Sequence, residues 1–264
     1  DMQALGFTVT RHPMAGRGDA LECVYGDGED TLLLIGHMDT VFAREEKQPF
    51  AVDGDRLTGS GVMDMKGGVL IMQAALAEVL PTMPKRMRVV AILSADEEIG
   101  SEGVSGMKSA AFDTFMSDLC DAQRVPLKTC YENSFCLSAD VCAAYDPNFP
   151  EVFEKRNSAR VNYGLGLCKY TGSRGKSGAS DASAEVVAYA RKVLDEAGVV
   201  WQMAELGKVD QGGGGTIAYI CALYGMEVVD SGVPVLSMHA PLEIISKADL
   251  YEAVKAYPAF MQEA

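Results

Sequence analysis

Five short segments carry residues able to ligate a metal ion, and each lies beside a run that reads as a strand or a helix start. Gly36-His37-Met38-Asp39-Thr40 follows the apolar stretch Thr31–Ile35. A histidine there can bind a cation through one ring nitrogen, while Asp39, two residues on, accepts from the other N–H and fixes the tautomer. Gly61-Val62-Met63-Asp64-Met65-Lys66-Gly67-Gly68 opens a helical pattern, and a carboxylate such as Asp64 has two oxygens with which to bridge two cations. Ala95-Asp96-Glu97-Glu98-Ile99-Gly100 follows Arg88–Leu93. Three adjacent acids repel one another unless cations are near. Two neighbouring glutamates can divide the work, one as ligand and one as general base toward water. Leu137-Ser138-Ala139-Asp140 and Leu236-Ser237-Met238-His239-Ala240-Pro241 close two further strand-like runs.

Each segment also has an ordinary reading taken alone: a satisfied surface histidine, a helix cap, a solvated acidic turn. Five such readings, all at predicted strand ends or next to one, are hard to hold jointly. The donor set of His37, Asp64, Glu98, Asp140 and His239 suits zinc, cobalt or manganese better than calcium. Other patterns carry less. Gly172-Ser173-Arg174-Gly175-Lys176-Ser177 is no phosphate loop, because Tyr170 stands where the first glycine is needed. The run Gly212–Gly215 before Thr216 is either a flexible turn or a cradle of backbone N–H groups for a carboxylate or oxyanion. His12 reads as exposed.

These segments need a scaffold that brings strand ends together. Leu21–Tyr25 and Thr31–Ile35 read as strands joined by the turn Gly26-Asp27-Gly28, and Arg88–Leu93 as a buried strand. Ser134–Ser138, Val199–Ala204, Glu227–Asp230 and Val233–Ser237 read as strands as well. Gly67–Leu80, Asp181–Ala197, Gly215–Tyr224 and Lys247–Phe260 read as helices, with Val104–Cys120 loosely helical. Such alternation predicts an α/β three-layer sandwich on a central, mixed and largely parallel sheet, with ligands at the carboxyl ends of its strands.

The chain has 264 residues, 48% of them hydrophobic, enough for one sizeable core. Its net charge of -14, from 37 acidic and 23 basic residues, argues against a nucleic-acid partner. No apolar run approaches the ~20 residues of a membrane span. The seven cysteines form no CxxC pair and are expected reduced. No basic, apolar leader follows Asp1, so a cytoplasmic, membrane-free protein is expected.

Two resemblances emerge from these motifs. Residues from about 4 to about 95, with the segments LGFTVTR, LLLIGHMDTVF, PFAVDGDRLTGSGVMDMKGG and VVAILSADEE, resemble the glutamate carboxypeptidase, acetylornithine deacetylase and aminoacylase family. EEIGSEGVSGMKS, SADVCAAYDPNFPEVFEKRNSARVNYGLGLCKYTG, GKSGASDASAE, WQMAELGKVDQGGGGTIA and VPVLSMHAPLEI, within residues 96–264, resemble the aspartyl aminopeptidases. The two families share one di-zinc fold, so the chain reads as a hybrid joined near residues 96–100, forming a single catalytic domain over 1–264.

The resemblance implies two divalent ions, zinc before cobalt or manganese. It implies Asp64 as the bridge, Glu98 and His239 completing one site, and His37 and Asp140 the other. Glu97 is then the general base and Asp39 the group that orients His37. Lys176, Gly213, Gly214, Gly215 and Thr216 fall near the substrate pocket. The implied substrate is a peptide cleaved at its N-terminus, or otherwise an N-acyl amino acid or a peptide C-terminus; a metal-binding scaffold without turnover is the remaining alternative. His37 to Asp64 spans 27 residues and Asp140 to His239 spans 99, which leaves room for neither family's inserted domain. A bare catalytic domain with no lid, monomeric and with impaired turnover, is therefore expected.

Overall fold

A computed structural model describes residues 2–14, 18–54, 56–99, 107–173, 177–208, 216 and 218–263. The chain divides into two compact units: residues 1–127 with 260–264, and residues 128–259.

Unit 1 is built on strands β1 (Thr8–His12), β2 (Ala20–Tyr25), β3 (Asp30–His37) and β6 (Met87–Ser94) in the order β1-β2-β6-β3. β6 runs antiparallel to β2 and parallel to β3. β2 and β3, joined through Gly26-Asp27-Gly28, do not pair with each other as a hairpin. The glycine turn permits one, but β6 has Val89, Val90 and Ala91 fully buried and takes the central place between them. A strand covered on both faces reads as an unbroken apolar run, as this one does. Helix α1 (Gly68–Val79) buries Ile71, Met72, Ala75, Leu76 and Val79, the three- and four-residue spacing of one helical face. Phe7, Cys23, Met72, Leu76, Val89, Ala91 and Leu93 form the core. A ribbon, β4 (Ala51–Asp53) with β5 (Arg56–Thr58), precedes α1. Helix α2 (Ala110–Gln123) starts at Ser109, whose hydroxyl accepts from the Phe112 N–H at 3.0 Å.

Unit 2 begins with the short α3, most of Leu127–Glu132, and carries β7 (Phe135–Ala143), β8 (Leu165–Cys168), β11 (Trp201–Ala204) and β12 (Glu227–Val235) in the order β11-β8-β12-β7. β12 runs parallel to β7 and antiparallel to β8, and β11 runs parallel to β8. The ribbon β9 (Tyr170–Ser173) with β10 (Ser177–Asp181) leads into α4 (Ala184–Glu196). Ser183 caps α4, accepting from Val186 N–H at 3.3 Å. Helices α5 (Ala218–Leu223) and α6 (Lys247–Glu263) follow. None of the described helices is long and apolar enough to cross a membrane.

Among the described residues the strands thus sort into two four-stranded mixed sheets, one per unit, and two two-stranded ribbons, where a single and largely parallel sheet is expected from the sequence. Alternation of strand and helix patterns sets element types, but antiparallel neighbours such as β2 and β6 lie far apart in the chain, and local pattern cannot pair them. Glu227–Val235 is likewise one strand, not two. It passes through Gly232 with no room for a side chain: a Cβ there would lie 2.7 Å from the Val141 backbone and 2.9 Å from the Asp140 carbonyl oxygen. Gly232→Ala is expected to force β12 from β7 and lower stability by about 1–3 kcal/mol. Urea unfolding checks this, and an unchanged midpoint refutes it.

Candidate metal centre

β3 and β6 end side by side, with His37 paired to Ser94 and the Met38 N–H donating to the Ser94 carbonyl at 2.8 Å. This places the segment after each strand at one edge. His37 is 2% exposed, and its two ring nitrogens face carboxylates. Nδ1 lies 3.3 Å from Asp39 Oδ1, and Nε2 lies 3.2 Å from Asp64 Oδ1 and 3.9 Å from Glu97 Oε2. Asp39 also accepts from the Glu98 N–H at 3.1 Å, so one carboxylate fixes both a ring and the turn that carries Glu98. Burial pushes the Asp39 carboxyl up, but the His37 and Glu98 hydrogen bonds outweigh it and hold it below the usual carboxylate range.

The three acids after β6 separate by role. Asp96 is fully buried and accepts from the Ser94 hydroxyl at 2.6 Å, while Ser94 Oγ accepts from the Asp96 N–H at 3.3 Å. Asp96 anchors the turn, and Glu97 and Glu98 are left half-buried beyond it. The sequence reading divides the work between the two glutamates but gives Asp96 no role of its own. The serine two residues before Asp96 is the signal that could have found it.

Asp64 enters from the irregular segment Val62–Gly67, whose backbone is non-helical at Asp64 and Met65. Gly61 feeds it at φ 66, and a Cβ there would lie 2.3 Å from Thr40 Cγ2 and 2.9 Å from the Asp64 carbonyl oxygen. Only glycine fits that left-handed turn.

His37, Asp64 and Glu98 thereby offer ligand atoms within 4.8 Å of one another. Two carboxylates this close repel unless a cation lies near, and one imidazole with two carboxylates is a donor set that fits zinc. Asp39→Ala is expected to weaken metal binding ~10–100-fold, since partners that orient a ligating histidine contribute that much. Competition against a chromogenic chelator measures it, and parental affinity in the variant contradicts it.

Asp140 and His239 lie in unit 2. Asp140 sits inside β7, three residues before its end, and not at the strand terminus expected from the sequence; β7 runs on because its pairing with β12 continues to Ala143. His239 follows β12 in a loop, exposed, with φ 64 and its N–H donating to Glu243 Oε1 at 3.0 Å. Thr216 Oγ1 accepts from the Ala218 N–H at 3.3 Å. Lys176, Gly213, Gly214 and Gly215 lie outside the described residues.

Unit 2 also holds a residue that the sequence reading passes over. Asp230, in the middle of β12, is 7% exposed. Burial pushes its carboxyl up to about 6, against hydroxyl donation from Ser138 and Thr216 and with Thr171 facing it; the charge of Asp140 adds to the rise. A single acid within the apolar run Glu227–Val235 is the signal for it.

A mixed α/β chain in which a histidine and two carboxylates converge has the makings of a metal-binding protein. The matching family model is that of the aminopeptidase I zinc metalloproteases, M18, over residues 37–261. The chain belongs to this family. A probable M18 family aminopeptidase 1 of Clostridium acetobutylicum is 54% identical over 176 residues, 65% of this chain and 38% of that protein. The crystal structure of the M18 aminopeptidase of Thermotoga maritima matches with a TM-score of 0.64 at 43% identity, over 73% of this chain and 44% of that one. Carboxypeptidase G2 of a Pseudomonas species is 38% identical over 109 residues, 39% of this chain and 26% of that protein. The chain spans about two fifths of the length of the M18 relatives it matches.

Proposed function

We propose that the two units act as one catalytic domain of a di-zinc aminopeptidase, removing residues from the N-terminus of peptides. The observation that carries this is the convergence of His37, Asp64 and Glu98 within 4.8 Å beside Glu97. Membership of the M18 family across residues 37–261 supports it. In this reading His37, Asp64 and Glu98 would hold metal together with Asp140 and His239. Zinc fits this donor set best; cobalt or manganese would fit it as well. When bound, such ions supply Lewis acidity toward the scissile carbonyl and toward water.

The chain's own residues do the rest. Asp39 holds the ring of His37 through Nδ1, leaving Nε2 for ligation. Glu97 stands one residue before a ligand and is partly open to solvent. Its carboxylate takes a proton from water as the new C–O bond forms. It then delivers that proton to the leaving nitrogen as the C–N bond breaks. Lys176, Gly213, Gly214, Gly215 and Thr216 are proposed to face the substrate, in line with their family segments.

The partial match to carboxypeptidase G2 is in line with a hybrid whose residues before about 96 resemble that protein's family, and it favours a second reading of the activity, as a carboxypeptidase or N-acyl amino acid deacylase. Incubation of zinc-loaded protein with a short peptide, followed by mass spectrometry, separates the two. Loss of the N-terminal residue supports the aminopeptidase reading, and loss only of the C-terminal residue or an N-acyl group overturns it. The monomer expected from the sequence stands as a proposal beside the dodecamer in which the yeast relative mApe1 was solved, a likeness that at 24% identity speaks for the fold alone. Light scattering measures the state directly.

A further inference from the structure

We infer that Cys136 and Cys221 form a modification site, a dithiol that a peroxide closes to a disulfide joining β7 to α5. The inference stands apart from the aminopeptidase reading and uses none of its residues. The Cys221 thiol donates to the Cys136 sulfur at 3.6 Å. Both residues belong to unit 2 and lie 85 positions apart in the chain, so no local pattern such as CxxC marks them. A disulfide holds its sulfurs about 2.0 Å apart, so these two must close by about 1.6 Å, a shift within reach of rotation about their Cα–Cβ bonds.

The packing around the pair holds the sulfurs together while both are reduced. Cys136 is the second residue of β7 and pairs with Val228 of β12. Helix α5 turns Ala218, Ile220 and Cys221 inward. Just past α5, the Tyr224 ring lies 5.0 Å from that of Tyr131, and the Glu227 N–H donates to the Ser134 carbonyl at 3.0 Å. These two ties close the chain after α5 onto the chain before β7. Of the seven cysteines, Cys130 and Cys136 are half-buried and the other five are buried. Cys136 therefore gives a small oxidant its way in, with Cys221 directly behind it. Cys142 and Cys168 share a cluster as well, but both are buried, and the Cys142 thiol donates to the Gly232 carbonyl at 3.4 Å. The Cys221 thiol and burial push the Cys136 thiol up, so the pair rests protonated and reacts slowly. In the reaction the Cys136 thiol gives its proton to water, and its sulfur takes one oxygen of hydrogen peroxide as the O–O bond breaks, leaving a sulfenic acid and hydroxide. The Cys221 sulfur then attacks that sulfur, the S–S bond forms, and the S–O bond breaks. The departing oxygen and the first hydroxide take up the two thiol protons. Two thiols and one peroxide thus become one disulfide and two waters.

The test treats the full chain with hydrogen peroxide, counts thiols in denaturant, and maps peptides without reduction by mass spectrometry. The parent is expected to keep five of its seven thiols and to yield one cross-linked peptide pair, holding Cys136 and Cys221. Cys136→Ser and Cys221→Ser are each expected to keep all of their remaining thiols under the same treatment. Urea unfolding separates a bond that fits the fold from one trapped in a distorted chain. Closing so long a loop in its native geometry is expected to raise the midpoint by about 1 M. Dithiothreitol is expected to reverse that rise, which distinguishes it from methionine oxidation. The peptide map of the parent decides the matter even if either variant fails to fold. No loss of thiols, a bond between other cysteines, oxidation of Cys136 to its sulfinic acid without a bond, or a midpoint lowered by the Cys136–Cys221 bond each overturns the proposal.

Discussion

Purified protein loaded with zinc is expected to keep its metal through gel filtration, and Asp64→Ala to lose it. Asp64 is 7% exposed, and its Oδ1 lies 3.2 Å from His37 Nε2, the nitrogen left for ligation once Asp39 takes the other. Removing this carboxylate leaves His37 and Glu98 as the remaining described ligands of the cluster. An orienting partner alone is worth ~10–100-fold in metal affinity, so loss of a ligand shared between ions is expected to exceed about 100-fold. Elemental analysis of parent and variant reads this directly, with near-ultraviolet circular dichroism to show that the variant is folded. Full metal content in folded Asp64→Ala would place the ions elsewhere and remove the basis of the proposed site.

The second large effect is expected at Glu97, and it separates two residues that are neighbours in the chain. Glu97→Gln keeps the size of the side chain but cannot take a proton. It is expected to lower kcat by ~10²–10⁴, the usual contribution of a positioned general base, while zinc content stays parental. Glu98→Gln is expected to lose metal first and activity as a consequence. The Glu98 N–H is fixed on Asp39 at 3.1 Å, which directs its side chain toward His37 and Asp64, whereas Glu97 contributes no atom to the three-residue cluster. Steady-state kinetics beside metal analysis on both variants tests the division of labour. If Glu97→Gln retains parental kcat, the proton passes through another group. If Glu97→Gln loses metal as Glu98→Gln does, Glu97 is a ligand and the assignment of the pair must be exchanged.

Much of the candidate metal centre is legible in the sequence because its parts are local. His37 and Asp39 stand two residues apart after an apolar run, and β3 ends where the run ends. Glu97 and Glu98 follow the buried run of β6 in the same way. Asp64 is framed by glycines that the turn at Gly61 requires. Asp96 was not legible in its role, since three acids in a row look alike until burial sorts them. Asp230 was passed over for a related reason. A polar residue within Glu227–Val235 reads as a break in a strand, and the two-strand reading followed from that. The strand continues because its polar groups are satisfied from distant parts of the chain. The Ser231 hydroxyl donates to the Gly166 carbonyl at 2.9 Å, and Asp230 pairs with Ser138 in the ladder with β7.

The sequence by itself determined the chemical kind of the candidate ligands, the strand or helix that carries most of them, and the family to which their spacing belongs. These depend on side-chain type and on short-range periodicity, which a single chain displays directly. The tertiary structure alone decided that β6 lies between β2 and β3, that the strands form two mixed sheets, and that one of three consecutive acids is an anchor. Pairing and burial are set by contacts between segments tens of residues apart, where the free energy of filling a core outweighs local preference.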